Sequence, residues 1–165
     1  MAEGENPTRR YKWFRPRQAV RGSTQDQTAN NYWTGALYNN STGPSVLVVR
    51  DLRWFPLNHN IFYLTYYQGR LAGTNLPAQP YFPGDATPAG LVDWSDQGST
   101  LGAYDYSFVQ PSGRWVAWWP HDFPIAIVPP GWSFVGQSQA KGEDGTLSLV
   151  WEVVSIDELE YMYVL

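Results

Sequence analysis

The stretch FPIAIVPPGWSFVGQSQ, residues 123–139, decides how the chain is read. Apolar residues alternate on both sides of Pro129-Pro130-Gly131. Proline has no backbone N–H to give a sheet ladder, so two in a row cannot lie inside a central strand. They separate two strands instead. Pro130-Gly131 suits the middle of a type II turn, with Gly131 supplying the positive φ. On this reading Ile125 and Ile127 descend on one face, and Trp132 and Phe134 return against them. The segment is a wall of a β structure, with nothing chemical in it.

Outward from this hairpin the same pattern repeats. TLSLVWEVV (146–154) alternates, with Leu147, Leu149, Trp151 and Val153 inward and Ser148, Val150, Glu152 and Val154 outward. Upstream, YWTGALY (32–38) runs into the polar turn Asn39-Asn40-Ser41-Thr42-Gly43-Pro44. SVLVVRDLRWF (45–55) follows, with Val46 and Val48 on one face and Leu47 and Val49 on the other. IFYLTYY (61–67), AYDYSFV (103–109) and RWVAWW (114–119) complete the set. SVLVVRDLRWF and IFYLTYY are apolar on both faces. That predicts a sandwich whose outer surface is itself covered, by a loop or by another subunit. Short strands with turn signals every 8–12 residues or so predict an all-β fold: an antiparallel β-sandwich, a jelly roll, of about eight strands. Residues 31–154 form the body. Residues 68–93, rich in proline and glycine, read as a long projecting loop, and 136–145 as a polar loop. The end, residues 155–165, reads as a short acidic tail with room for one helical turn capped at Ser155.

Composition narrows function by exclusion. The chain has no cysteine, which removes disulfides, thiolate nucleophiles and zinc–thiolate sites. No apolar run nears the roughly 18 residues of a membrane span. The first thirty residues hold no signal-like stretch, so the expectation is synthesis and use without Sec export. Two overlapping sequons at Asn39-Asn40-Ser41-Thr42 then read as a plain polar turn. His59 and His121 sit in separate turns, and no His-x-His offers a metal pair. No Gly-x-Ser-x-Gly elbow accompanies His121-Asp122, and no phosphate-cradling glycine loop occurs. Asp93, Asp96 and Asp105 read as solubility and turn-capping acids rather than a glycosidase pair. The expectation is therefore a non-enzymatic protein with no metal and no cofactor.

Charge and aromatics point to adhesion. Residues 1–21 hold six of the eleven basic residues, Arg9, Arg10, Lys12, Arg15, Arg17 and Arg21, against Glu3 and Glu5. The rest of the chain is acidic. Residues 1–30 lack periodicity and read as an extended basic arm. Tyr11, Trp13 and Phe14 lie among its cations, and rings of that size gain about 1.5–3 kcal/mol each from burial. The reading is a docking arm, Arg9 to Arg21, with guanidinium groups on carboxylates of a neighbouring protein and rings in a pocket. An acidic body argues against nucleic acid as the partner. Tyr81, Phe82, Trp94, Trp118 and Trp119 belong to a surplus of aromatics suited to a projecting loop or a subunit interface.

GALYNNSTGPSVLVVRDLRW (35–54) resembles the opening hairpin of small β-sandwich structural proteins of tailed bacteriophages. IVPPGWSFVGQSQ (127–139) with GTLSLVWEVV (145–154) is similar to their closing hairpin. The middle of the chain has no counterpart in that pattern. The resemblance implies a jelly-roll virion protein assembled in the host cytoplasm, often a homotrimer. It would decorate or cement the head by binding the major capsid protein and neighbouring copies of itself. Placement in the tail, as an adaptor or receptor-binding tip touching glycan, and a free carbohydrate-binding module are the alternatives.

Overall fold

In the computed structural model the Pro129-Pro130-Gly131 turn forms as its sequence demands, but the strands on either side of it lie in opposite sheets and do not pair as a hairpin. Trp132 N–H donates to Pro129 O at 3.1 Å, and Gly131 has φ 76°. The structure describes residues 18–23, 31–56, 60–80, 86–97, 99, 101, 106–110, 116–118, 124–142 and 145–163. Among these lie twelve strands and one helix: β1 (Gln18–Ser23), β2 (Tyr32–Tyr38), β3 (Ser45–Pro56), β4 (Asn60–Gln68), β5 (Thr74–Pro77), β6 (Gln79–Pro80), β7 (Leu91–Gln97), β8 (Tyr106–Gln110), β9 (Val116–Trp118), β10 (Ala126–Val128), β11 (Trp132–Lys141), β12 (Gly145–Ser155) and α1 (Ile156–Tyr163).

The strands make two six-stranded antiparallel sheets. One has the order β10-β3-β12-β1-β6, with β9 also on β3; the other is β5-β7-β2-β11-β4-β8. Nested pairs explain this order: β1 with β12, β2 with β11, β3 with β10, β4 with β8. A long antiparallel ribbon is thus rolled up so that successive pairs fall in opposite sheets, which is a jelly roll. Between them lies a core in which Trp33, Phe134 and Trp151 are the largest fully buried side chains among the described residues. Gly90 is fixed by it: φ is 120°, and a Cβ there would stand 2.8 Å from Trp151 Cζ2. Trp151 Nε1–H donates to Ala89 O at 3.0 Å on the same segment.

Five expectations change. Within the stretch read as an arm, Gln18–Ser23 is strand β1, bonded between β12 and β6; without it, β12 would show a bare edge. The described residues within 68–93 do not form a long projecting loop: β5 extends one sheet beyond β7, and β6 extends the other beyond β1, while residues 81–85 lie outside the described residues. Pro77 and Pro80 fit because each sits in the outermost strand of its sheet, where a missing donor is harmless. Residues 136–141, read as loop, continue β11. Ile127 does not share a face with Ile125. The chain bends at Ile125, so Ala126 and Val128 enter the core while Ile127 turns to the opposite face. The tail forms a two-turn helix, longer than the single turn expected.

Both sheets also bury apolar groups on their outer faces, as the two-sided strands predict. On the β2–β11 sheet, Ala36 and Val135 lie under Leu71, with Leu101 beside them. On the β3–β12 sheet, Val46, Val48 and Val154 pack with Ile127 and with Leu159 of α1.

Candidate interaction surfaces

The docking-arm residues Arg9, Arg10, Tyr11, Lys12, Trp13, Phe14, Arg15 and Arg17 lie outside the described residues. Arg21 lies in β1, opposite Ser148, and so belongs to the body's backbone rather than to a free arm. Of the loop or interface set, Tyr81, Phe82 and Trp119 also lie outside. Trp94 is in β7, opposite Gly35 and Thr74, and Trp118 is in β9, opposite Leu52. Both are strand positions, and the structure does not gather the set at one described site. His59, His121 and Asp105 lie outside the described residues as well.

One end of the sandwich is stitched together by a single buried amide. Asn39 has no exposed surface. Its Oδ1 accepts from Ser41 N–H at 3.0 Å and from the Ser41 hydroxyl. Its Nδ2 donates to Ser45 O at 3.0 Å and to Val128 O at 2.8 Å. Its backbone N–H donates to Trp132 O, and its carbonyl accepts from Gly131 N–H. The β2–β3 turn is thereby tied to the β10–β11 turn. Gly69 N–H donates in turn to Gly131 O at 2.9 Å, and Asn40 Oδ1 accepts from Gly90 N–H at 2.8 Å. A carbohydrate cannot be attached to Asn39, whose amide is enclosed. The polar-turn reading of this stretch stands for that residue. Next to this end, Tyr66 and Tyr67 are among the few large apolar side chains with substantial exposure among the described residues. The Tyr66 ring lies 5.7 Å from Phe134, and its hydroxyl accepts from Ile127 N–H at 3.3 Å. It thus blocks a backbone donor on the short strand β10.

The outer face of the β2–β11 sheet is covered by chain held on two polar anchors. Gln137 is fully buried: its Nε2 donates to Thr34 Oγ1 at 3.0 Å and to Ser99 O at 3.3 Å. Its Oε1 accepts from Leu101 N–H at 3.1 Å. Asp93, with no exposed surface, accepts from Arg70 Nε and Nη2, each at 3.0 Å. The Arg70 guanidinium also stands 6.0 Å from the Tyr38 ring. Burial raises the Asp93 carboxyl above its ordinary value, against the opposing pull of Arg70. Asp93 was read as a surface acid; it lies on an outward strand face that the Arg70–Leu71 segment roofs over.

The outer face of the β3–β12 sheet carries a charged strip shaped by a β-bulge. Val150 pairs with Asp51 but Trp151 pairs with Val49, so Arg50 is an extra residue in β3. Leu52 and Trp151 enter the core, which turns Asp51, Arg53 and Glu152 outward. Arg53 Nε donates to Asp51 Oδ2 at 3.0 Å, and Arg50 Nη2 to Glu152 Oε2 at 3.3 Å. Asp51 Oδ1 is buried with no hydrogen-bond partner. Neither this strip nor the two anchors carried a local signal in the sequence. Arg70 and Asp93 are 23 positions apart, and Arg50 and Glu152 are 102. Asn39 did carry one, since Asn-x-Ser is a standard composition for a side-chain-closed turn.

No cluster of His, Cys, Asp and Glu able to hold a metal occurs among the described residues. No helix among them is long and apolar enough to cross a membrane. Compared with protein-family models, with curated proteins and with solved structures, the chain matched none.

Proposed function

We propose that the protein is a non-enzymatic structural protein of a tailed-phage virion, a jelly roll that decorates the head and cements its subunits. It binds the major capsid protein and neighbouring copies of itself, as a homotrimer, and acts by mass action: surface buried across capsomer joints favours the assembled shell. The observation that supports this most directly is how the basic leader joins the body. In the sequence its cation run, Arg9 to Arg17, directly precedes β1, which is hydrogen-bonded on one side to β12 and on the other to β6. A load on the leader is therefore carried by sheet ladders. Seventeen residues span at most about 60 Å when extended, enough to reach a neighbouring subunit. The jelly-roll topology, which the resemblance to phage proteins also implies, supports the same reading.

The test follows the strand boundary. Removing residues 1–17 spares β1, whereas a cut after Arg21 would remove four of its six residues. The full chain should cosediment with empty heads of its phage. The 1–17 deletion, and a full-length variant with Arg9, Arg10, Lys12, Arg15 and Arg17 all changed to Gln, should keep the melting temperature and lose at least about tenfold in affinity, or about 1.4 kcal/mol. Unchanged saturation of the heads by both variants would remove the arm from the account. Quantitative mass spectrometry of virions tests placement: copies in proportion to the capsid subunits fit the head, and a handful per particle would move the protein to the tail.

A further inference from the structure

We propose that the outer face of the β3–β12 sheet is a two-fold contact between copies of this chain, in which α1 of each copy rests on the half of the other copy's face that its own α1 leaves uncovered. The face is divided. At one end α1 lies over Val46, Val48 and Val154 through Leu159. Six residues before Val154, about 20 Å along β12, Ser148 stands in a row with Arg53 of β3 and Arg21 of β1. Val150 lies between the two ends, and both Ser148 and Val150 are only partly buried. A helix is roughly 10 Å thick, so the face has a step. Two such steps mate when one copy is turned by half a revolution about an axis through the middle of the face, near Val150.

Charge divides the face in the same way. The α1 end presents Asp157 and Glu158, both exposed, and the helix has no basic residue in its last turn. The other end presents arginine. Asp51 and Glu152 are buried, while the side chains of Arg53 and Arg50 that bind them keep 47 % and 26 % of their surface. A partner therefore meets guanidinium groups before carboxylates. A third cation, Arg21, stands in the same row by register, opposite Ser148. The chain carries a net charge of −4, so most approaches of two copies are opposed by like charge. The half-turn sets acid on arginine, and does so twice, because an isologous contact repeats every pair. Ile156, at the start of α1, is 50 % exposed, the most of any large apolar side chain among the described residues, and supplies an apolar anchor beside the acids.

This names a surface for the contact with neighbouring copies and rests on that part of the proposed function. A homotrimer has no two-fold axis, so the contact joins copies of different trimers. The face is roughly 20 Å by 20 Å, about 400 Å², half of what one partner gives a standard interface. Cross-linking catches so small a contact, and the chain has no cysteine of its own to confuse it. Full-length S148C and E158C, without heads, are treated with a short bis-maleimide. Each alone should stay unlinked. Their mixture should give heterodimer at least about fivefold above a mixture of S148C with A140C, an exposed position on the other sheet. V150C, near the axis, should link to itself. Roughly 1 M salt should lower the heterodimer yield. A yield no higher than the control overturns the proposal and leaves Asp157 and Glu158 as ordinary acids at a helix N-terminus. So does E158C that links to itself as readily as to S148C, since the half-turn keeps the two helices apart. Loss of head binding with the cross-link intact strikes only the cement reading, and loss of the cross-link with head binding intact strikes only this one.

Discussion

The two outer faces of this sandwich solve one problem in different ways. Each sheet has strands apolar on both sides, and each must therefore be roofed. The β3–β12 face uses the helix that follows directly on β12, with Leu159 laid over Val46, Val48 and Val154. The β2–β11 face uses irregular chain, the segments around Leu71 and Leu101. A helix satisfies most of its own backbone, so the first roof needs little besides apolar contact. Irregular chain does not, and the second roof is accordingly pinned by buried polar groups, Gln137 under Ser99 and Leu101, and Asp93 under Arg70. Polar residues on an outward strand face can thus be fasteners rather than solvated surface.

The comparison breaks most sharply at Arg70. Arg70→Met leaves Asp93 enclosed without its cation. Losing one partner of a buried pair costs about 3–5 kcal/mol. Arg70 itself is over a third exposed, which lowers the expected loss to about 2–3 kcal/mol, read by thermal or urea unfolding. A change within about 0.5 kcal/mol would show that the ion pair does not hold the roof. The matched truncations come next. Leu71→Ala removes a side chain only 4 % exposed and should cost about 2 kcal/mol, whereas Leu159→Ala, on the partly covered helix, should cost about 1 kcal/mol. Equal losses would erase the difference between the roofs.

Asp93 also gives the β2–β11 roof a pH dependence of unusual sign. Burial holds its carboxyl above the ordinary 3.8 in the folded chain. The folded state then binds this proton more tightly than the unfolded state does. Its contribution is complete below pH 3.8, and it is lost as the pH rises through the folded value. Wild type should therefore gain in Tm over Asp93→Asn as the pH is lowered from neutral through that window. A gap that narrows in acid would mean that Arg70, not burial, governs the carboxyl.

Sequence pattern revealed the ribbon but not its fastenings. The strands flanking the 129–131 turn, strands β2 and β3 and the last strand were legible because period-two alternation and turn residues are local signals, whereas their partners were not: β2 and β3, like β10 and β11, fall in opposite sheets. So was the need for a roof, from strands apolar on both sides. Residues 68–93 misled because prolines mark both loops and edge strands, and only the sheet order tells which. Residues 136–141 misled because Gln137 and Ser138 look solvent-seeking, yet both are buried, Gln137 through Thr34 and Ser99, Ser138 through Trp33 N–H. Strand β1 was hidden among charges, since a short strand filling an existing edge needs little pattern of its own. Pairings such as Arg70 with Asp93 are invisible to any local reading, because the fold alone brings them together.

The smallest expected effect lies on the helix-roofed face, and it tests whether charge matters there at all. Arg50 and Glu152 meet at 3.3 Å, but the arginine is a quarter exposed and its Nε and Nη2 both converge on Oε2 rather than forking across the carboxylate. Such pairs contribute about 0–1 kcal/mol, and salt screens them. Arg50→Gln should therefore lower stability by no more than about 0.5 kcal/mol at low salt and by less at high salt. A loss as large as that of Arg70→Met would show that the bulge strip fastens its face as the Asp93 anchor fastens the other. The contrast between a roof held by apolar contact and a roof held by buried polar groups would then give way to one mechanism for both sheets.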